Sequence, residues 1–411
     1  MMNQKCKNTN AELKKVTVVG AGPSGLFASY LLLEAGYSVD LFDHSSGAGK
    51  KFLVAGNGGL NLTHSEGITD FSKKYSENER LFEDLIRVFG NDSLRDFCHK
   101  LGVETFIGSS GRVFPVKLNA ADMLRSWLSV LRSYSKFSLH LNMSLTDLVY
   151  VDGEFNLGFI NKKNDEKTYL CSATVILALG GASWKKTGSD GSWAELLKSF
   201  GIKVVPFYAM NCGYEVRWSE YFSSRITYQP LKNISINGKI GEIMLTPSSI
   251  EGGLVYTFSK YIQRELRINR KCYLQLDLRP NHTEGVLLAK LKKKKSGDSR
   301  SNQLRKCLKI SKIESLLIHE LLEKEIINDD EKVVSSIKSL KVNLIKERPI
   351  DEAISTSGGV CFSELSDVFE SQKFPGLFFA GEMMDWDAPT GGYLLQGCFS
   401  TAYHVVQQII K

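Results

Sequence analysis

Six residues near the start of the chain, Gly20-Ala21-Gly22-Pro23-Ser24-Gly25, have the spacing of a phosphate-binding turn. The first glycine permits the turn, the second lets the backbone approach a pyrophosphate, and the third lets a helix pack on the preceding strand. The N-terminus of that helix then faces the anion. These positions predict a dinucleotide site at Gly20, Gly22, Pro23, Ser24 and Gly25.

An acid should stand near the end of the second strand, about 20 residues further on, to hydrogen-bond a ribose 2′-hydroxyl. Asp43 fits this position, and Asp40 is its competitor. Alternation along the strand predicts that Asp40 is solvated, whereas Asp43 falls at the strand end, where ligands of such sheets bind. We therefore assign the ribose to Asp43.

A second glycine-rich stretch, from Gly47 to His64, follows this strand directly. Its five glycines let backbone amides approach a ligand, and Lys50 or Lys51 can place positive charge near a phosphate. A flexible surface loop is the alternative. Because the stretch follows the strand that carries Asp43, we favour ligand binding.

The C-terminal part repeats this arrangement. A buried strand ends at Ala380-Gly381-Glu382, and a small-residue turn then leads to a helix that begins near Tyr393. Asp385 and Asp387 could act in proton transfer or could cap the turn, and both interpretations stay open. Trp386 and Tyr393 fit packing better than stacking on a ligand.

Arg112 lies in a Gly-Arg-Val-Phe-Pro turn, where its guanidinium could hold an anionic group; a surface ion pair is the alternative. No histidine shows metal-ligand spacing, so no metal site is predicted. The eight cysteines are scattered without a Cys-x-x-Cys pair, which favours reduced thiols in the cytoplasm. The catalytic candidates are therefore only Arg112, Asp385 and Asp387.

The elements that must position these residues follow from hydrophobic patterning. Residues 15–43 read as strand, helix and strand, which is a parallel βαβ unit. Residues 138–170 alternate as an antiparallel meander does, and 173–179 resemble a buried strand. After Gly201, short strands dominate up to Leu278, and a charged helical block then runs to about Ser339.

The predicted fold class is α/β. We expect a Rossmann-like, three-layer dinucleotide-binding domain with a parallel sheet and a β-meander, made discontinuously from residues 15–200 and 356–411. An inserted domain at 201–355 should be β-rich and barrel-like, with a helical excursion. Residues 1–14 are expected to form a flexible tail.

Composition limits the class of protein. Hydrophobic residues make up 43% and charged residues 24% of the chain, which is typical of a globular protein. No apolar run is long enough to span a membrane, and the polar start lacks a secretory signal. The net charge of +7 includes the run Lys292 to Lys295, which favours a solvated face over an RNA contact.

Several blocks resemble the BaiN/RdsA type of NAD(P)/FAD-dependent oxidoreductases, whose FAD domain is similar to that of glutathione reductase. The matching blocks are Val18 to Gly25, Lys50 to His64, Gly111 to Pro115, Leu177 to Gly188, and Gly376 to Gln396. Their order along the chain makes the resemblance specific. It implies FAD as the cofactor.

The resemblance also implies the positions that contact each part of FAD. Gly20, Gly22 and Gly25 would bind the pyrophosphate, and Asp43 the adenosine ribose. The flavin side would be lined by Lys51, Asn57, Gly58, Gly59 and Asn61, with Gly180 and Gly181 also against the cofactor. Glu382, after Gly381, would approach the ribityl chain, and Gly391, Gly392, Tyr393, Leu394 and Gln396 would lie near the isoalloxazine.

The expected activity is hydride transfer between FAD and either a small organic substrate or NADH or NADPH, bound transiently. An alternative is a flavoprotein that modifies RNA, such as tRNA, for which the basic block from Lys290 to Lys312 is the only support. A flavin-binding protein without turnover is a third possibility. No membrane partner is expected.

Overall fold

The structure is a computed structural model that describes residues 14–56, 59–293 and 297–411. Three sequence predictions fall outside these ranges. They are the tail (except Lys14), the loop residues Asn57 and Gly58, and the second half of the lysine run.

The strands of the described residues are numbered in chain order. They are β1 (Lys15–Val19), β2 (Ser38–Asp43), β3 (Thr63–His64), β4 (Thr105–Ile107), β5 (Arg112–Pro115), β6 (Phe137–Leu141), β7 (Met143–Val151), β8 (Glu154–Asn161), β9 (Lys167–Ser172), β10 (Val175–Leu177), β11 (Val204–Met210), β12 (Tyr214–Glu215), β13 (Gln229–Ile236), β14 (Lys239–Leu245), β15 (Ser249–Glu251), β16 (Cys272–Asp277), β17 (Leu340–Leu344), β18 (Ser355–Val360) and β19 (Leu377–Phe379).

The α-helices are numbered in the same way. They are α1 (Pro23–Glu34), α2 (Lys50–Ala55), α3 (Ile68–Ser72), α4 (Glu79–Val88), α5 (Asn91–Lys100), α6 (Ala120–Ser133), α7 (Trp193–Ser199), α8 (Glu220–Ser223), α9 (Gly253–Tyr256), α10 (Ser259–Asn269), α11 (Glu284–Leu291), α12 (Arg300–Leu308), α13 (Lys312–Leu321), α14 (Lys324–Asn328), α15 (Asp330–Lys338) and α16 (Tyr393–Ile410). Short 3₁₀ helices occupy Lys73–Asn78, Lys185–Thr187, Ile350–Glu352, Phe362–Glu364 and Gly381–Met383.

The chain divides into two compact units. The first consists of the described residues up to Tyr208 together with Ile354–Lys411, and the second is Ala209–Ala353. The domain limits expected from the sequence, near residues 200 and 355, remain a prediction of where independently folding domains begin and end.

A five-stranded parallel sheet in the order β19-β10-β1-β2-β6 forms the centre of the first unit. The register aligns Thr17 with Asp40 and Val19 with Phe42, so these side chains share one face. On that face Thr17 Oγ1 donates to Ser172 Oγ of β9 at 3.0 Å, and Phe42 stacks on Phe159 of β8 at 4.2 Å.

The opposite face of the sheet is covered by helices. Val18 points to this side, where it lies against Gly25 of α1, and α1 packs along α16. The first unit therefore has three layers: helices, the parallel sheet, and the antiparallel meander β7-β8-β9. This confirms the α/β, Rossmann-like fold class.

The second unit contains the six-stranded antiparallel sheet β12-β15-β14-β13-β16-β17 and helices α8 to α15. The two edges of this sheet meet, because Glu215 of β12 exchanges backbone hydrogen bonds with Ile345 and Lys346, just after β17. A bridge between Tyr214 and Glu347 continues this pairing. The helical excursion consists of α11 to α15.

The strand alternation predicted a solvated Asp40, but this side chain is half-buried and paired. Its carboxylate lies 2.6 Å from Lys15 Nζ and 3.1 Å from His140 Nε2. The hydrogen bond with His140, together with Lys15, holds the pKa of Asp40 below its usual value against the opposing effect of burial. The prediction was wrong because β6 pairs beside β2 and brings His140 onto it.

This lowered pKa predicts a pH-dependent contribution to stability. A carboxyl group with a lowered pKa in the folded state stabilises the fold above its unfolded pKa of about 3.9, and the contribution is lost as pH falls through the lower folded value. We expect Asp40→Asn to reduce the free energy of unfolding by about 1 kcal/mol at pH 7 and by progressively less below about pH 4. Urea unfolding between pH 3 and 7 measures this difference, and a difference independent of pH would contradict it.

Candidate functional site

The glycine turn between β1 and α1 is built as an anion site. Gly20 has φ of +108°, and a Cβ there would lie 2.2 Å from the carbonyl oxygen of Ala178. A Cβ on Gly25 would lie 1.8 Å from the carbonyl oxygen of Gly20, whereas one on Gly22 would have no heavy atom within 4 Å. Gly20 and Gly25 are therefore required by the protein's own packing, whereas Gly22 leaves open space.

The N-terminus of α1 faces that space. Gly22 is its N-cap, Pro23 occupies the first turn, and no side chain caps the helix. The first amides of an uncapped helix and the helix dipole favour an anion at this position. The residues present fit the pyrophosphate of a dinucleotide.

Asp43 is the last residue of β2, where the sequence predicted a ribose contact. Its Oδ2 accepts a hydrogen bond from the amide of Ala21 and its Oδ1 accepts one from the amide of Ser45, both at 2.7 Å. Each carboxylate oxygen can accept a further hydrogen bond, so both can still receive a hydroxyl group. The carboxylate thus ties the turn to the strand end.

An open pocket runs along these residues, and the space over it, including the adjoining solvent, is about 810 Å³. It collects the following predicted positions: Gly20, Gly22, Pro23, Ser24, Asp43, Lys51, Gly180 and Glu382. It also includes residues that sequence reasoning did not assign: His44, Ser45, Met143, Leu145, Ser189 and Cys398. The position of β7 after β6, beside β2, brings Met143 and Leu145 here, and this placement depends on strand order rather than on any motif.

A charge pair forms one wall of the pocket. Lys51 Nζ lies 2.9 Å from Glu382 Oε2 and 2.9 Å from Ser183 Oγ, and the amide of Thr356 donates to Glu382 Oε1 at 3.2 Å. The side chains of Lys51 and Glu382 are 25% and 13% exposed, respectively. A Cβ on Gly181 would lie 2.3 Å from Thr356 Oγ1, so Gly181 packs against this network rather than lining the pocket.

The remaining predicted positions assemble elsewhere, around β3, β5 and the start of α16. Gly392, with φ of +94°, is the N-cap of α16, and a Cβ there would lie 2.5 Å from Thr63 Cα. Asn61 Nδ2 donates to the carbonyl oxygens of Thr63 and Val113 at 2.8 and 3.2 Å. Like α1, α16 begins without a side-chain cap. These residues form a second group of predicted positions. Because Cys398 of α16 lines the pocket, this helix connects the second group with the pocket.

Other members of this second group take part in packing. A Cβ on Gly391 would lie 2.8 Å from the Tyr393 ring, and a Cβ on Gly59 would lie 3.9 Å from Phe114. Gly381 lies outside this group, because a Cβ there would meet the side chain of Ser24, which lines the pocket. Leu394 is half-buried.

The side chain of Gln396 is committed to the protein interior. It is fully buried, its Nε2 donates to Phe89 O and Ser400 Oγ at 3.0 and 3.1 Å, and Thr63 Oγ1 donates to its Oε1 at 2.7 Å. Tyr393 is also buried, stacks against His64, and has a pKa raised by burial and by Glu66. The packing interpretation of Tyr393 agrees with these contacts.

None of the three catalytic candidates lines the pocket. Arg112 is exposed on β5, where it pairs with His64 of β3. Asp385 donates its backbone amide to Val360 O, and both Asp385 and Asp387 are half-buried and make contacts within the protein. In the described part of the chain, no group of three histidine, cysteine or acidic residues could hold a metal ion. No helix of the described ranges is long and apolar enough to cross a membrane.

A helix N-terminus behind a glycine turn, a strand-end acid and a meander on a parallel sheet define a Rossmann-type dinucleotide-binding protein. The sequence profile of the HI0933-like protein Rossmann domain matches residues 14–408. The chain belongs to this family, which confirms the resemblance noted in the sequence and the class of FAD-dependent oxidoreductases that it implied.

Two relatives match nearly the whole chain. A ribosomal RNA dihydrouridine synthase of Haemophilus influenzae is 24% identical over 403 residues, covering 94% of this chain and 96% of the relative. A 3-dehydro-bile acid delta(4,6)-reductase of Clostridium scindens is 24% identical over 418 residues, covering 95% and 98%.

Solved structures share the fold. The open conformation of a flavocytochrome c3 fumarate reductase has a TM-score of 0.53 at 15% identity, covering 97% of this chain and 78% of the other. A 3-ketosteroid delta1-dehydrogenase from Sterolibacterium denitrificans has a TM-score of 0.53 at 11% identity, covering 97% and 99%.

Proposed function

We propose that the chain binds FAD along the pocket and uses it to reduce a carbon–carbon double bond conjugated with a carbonyl group. The observation that carries the binding proposal is the open space at Gly22, in front of an uncapped helix N-terminus and beside Asp43. In this arrangement the pyrophosphate lies at the start of α1, and Asp43 receives a ribose hydroxyl.

The proposed flavin end lies toward the start of α16. The helix begins at Tyr393 after two glycines with positive φ, and its first amides have no side-chain cap. An uncapped N-terminus favours negative charge, which a reduced flavin carries. Gln396 accepts a hydrogen bond from Thr63 and so ties β3 to α16, while Asn61 donates to the carbonyl oxygens of Thr63 and Val113 and so holds β3 beside β5.

The double bond is proposed from the chemistry that the relatives' names share. A dihydrouridine synthase adds two hydrogens to the uracil ring, and a delta(4,6)-reductase adds hydrogens to carbon–carbon double bonds. Bound FAD would supply hydride transfer for such a reaction. NADH or NADPH is the proposed donor and would bind transiently, because the sequence contains only one Gly-x-Gly-x-x-Gly turn.

Spectroscopy of the purified full-length chain tests this proposal. We expect a yellow protein whose visible flavin absorbance is bleached anaerobically by NADH or NADPH and restored by a conjugated enone. Isolated alkenes of similar size are the matched control and should not restore the absorbance. A folded, colourless protein that does not bind added FAD would overturn the proposal, and reduction by dithionite alone would favour flavin binding without turnover.

An RNA base is a second candidate substrate, because the relative from Haemophilus influenzae carries the name ribosomal RNA dihydrouridine synthase. Mass spectrometry of nucleosides from total RNA, incubated with the protein and NADPH, distinguishes this candidate from a small molecule. A gain of two hydrogens on uridine supports RNA.

In the described ranges all seven cysteines are free, which supports a cytoplasmic location.

A further inference from the structure

A serine and a histidine meet where α12 lies against α13 in the second unit. Ser301 Oγ and His319 Nε2 are 3.1 Å apart, and His319 Nδ1 lies 2.7 Å from the carbonyl oxygen of Ser315. Because a backbone carbonyl can only accept a hydrogen bond, Nδ1 carries the proton of the neutral imidazole and Nε2 is left as an acceptor. The Ser301 hydroxyl therefore donates to His319.

This arrangement is that of a nucleophile with its base. A serine hydroxyl becomes nucleophilic when an imidazole within hydrogen-bond reach takes its proton and a third group holds that imidazole in the required tautomer. The carbonyl group of Ser315 supplies the orientation. As a neutral group it stabilises an imidazolium less than a carboxylate would, so the expected rate is below that of a triad with an acid.

Ser301 lies in the first turn of α12, where backbone amides have no partner within the helix. The N-cap residue Ser299 accepts from the amide of Asn302 through its hydroxyl group and from the amide of Gln303 through its carbonyl oxygen. The amides of Arg300 and Ser301 have no acceptor in the described ranges. The nucleophile's own amide, together with the helix dipole, stabilises the negative oxygen that develops on an attacked carbonyl group.

The packing of the two helices does not depend on this polar pair. Leu304 and Leu308 of α12 are buried in the same apolar core as Leu317 of α13. His319 is exposed and Ser301 is half-buried, and a hydrogen bond between neutral groups at the surface adds little to stability because water competes for both groups. The same exposure leaves the hydroxyl group open to a small reactant from solvent.

We propose that Ser301 and His319 form a second site, independent of the flavin, that transfers acyl groups from small esters to water. Ser301 Oγ bonds to the acyl carbon while His319 Nε2 takes the hydroxyl proton. The bond between that carbon and the alcohol oxygen breaks, and the proton passes to the leaving alkoxide. Water then attacks the acylated serine with His319 again as the base, which releases the carboxylic acid and restores the hydroxyl group of Ser301.

A fluorophosphonate probe tests this site on the unchanged full-length chain, because Oγ of an activated serine bonds to phosphorus as fluoride leaves. Peptide mass spectrometry compares Ser301 with Ser311, the exposed N-cap residue of α13, which has no histidine partner among the described residues. We expect Ser301 to be labelled about a hundredfold faster than Ser311, since a general base contributes at least that factor. Equal labelling of the two serines, or no labelling of Ser301, would overturn the proposal.

His319→Gln separates the chemistry from the contact, because glutamine keeps a hydrogen-bonding group but does not take up the proton. Labelling of Ser301 and hydrolysis of para-nitrophenyl acetate, followed by chromatography of the phenol, should both fall about a hundredfold. His99→Gln is the matched control, since His99 is likewise exposed near the end of a helix, and it should leave both rates unchanged. Circular dichroism shows that each variant is folded. Labelling that survives in His319→Gln would mean that the pair is only a structural contact.

Discussion

Replacing Gly22 by alanine is expected to weaken FAD binding by roughly ten- to a hundredfold while leaving the apoprotein as stable as before. The backbone at Gly22 is extended, with φ of −80° and ψ of −176°, which alanine adopts freely. No protein atom lies within 4 Å of the added Cβ, so its only possible clash is with a ligand at the helix N-terminus. A methyl group inserted into a close contact costs about 1 to 3 kcal/mol.

Two measurements distinguish the effect on FAD affinity from the effect on protein stability: fluorescence titration of FAD into the apoprotein, and urea unfolding without FAD. Gly25→Ala is the matched control, because the same methyl group would strike the carbonyl oxygen of Gly20 at 1.8 Å. This control should lose several kcal/mol of stability. If Gly22→Ala bound FAD as tightly as the unchanged protein, the pyrophosphate would not lie at this turn.

Removing the positive partner of Glu382 should have the second large effect. Lys51→Met would leave the Glu382 carboxylate without its ion pair in a partly buried wall of the pocket. Breaking such a pair on one side is costly, and with the partial exposure here we expect a loss of about 2 kcal/mol in unfolding free energy. The unpaired negative charge should also weaken FAD binding by about tenfold, because it repels the phosphates.

The double variant Lys51→Met with Glu382→Gln provides the control, since it removes both charges together. We expect it to recover most of the unfolding free energy and of the FAD affinity, so that the two substitutions are strongly non-additive. Urea unfolding and FAD titration of the unchanged protein, the two single variants Lys51→Met and Glu382→Gln, and the double variant give the coupling energy. Additive losses would mean that Lys51 stabilises the site through Ser183 rather than through Glu382.

The local pattern of the chain was sufficient to predict the phosphate turn. Strand, glycines and helix follow one another within residues 15–34, and each glycine has a requirement that is visible in sequence spacing. The acid at the end of β2 follows from the same short unit. The meander and the C-terminal strand and helix were also predictable, because alternation and buried runs are local signals.

Other parts of the site were not accessible to such reasoning. Gln396 belongs to a block that matches the family, yet its side chain is used to hold β3 and Phe89 against α16. Asp40 was expected to be solvated from the alternation of its own strand, and this expectation missed His140 of β6, its partner 100 positions away in sequence. A side chain's role depends on which elements cover it, and motif spacing does not contain that information.

The sequence by itself determined the anion-binding turn, the position of Asp43 and the class of fold, because these depend on contacts within short segments. Only the tertiary structure decided that Lys51 meets Glu382, 331 positions away, and that Met143 and Leu145 line the pocket. Pairing of distant elements is governed by burial of the whole core rather than by local propensity. The order of strands in the parallel sheet therefore completes a pocket whose first part is already visible in six residues.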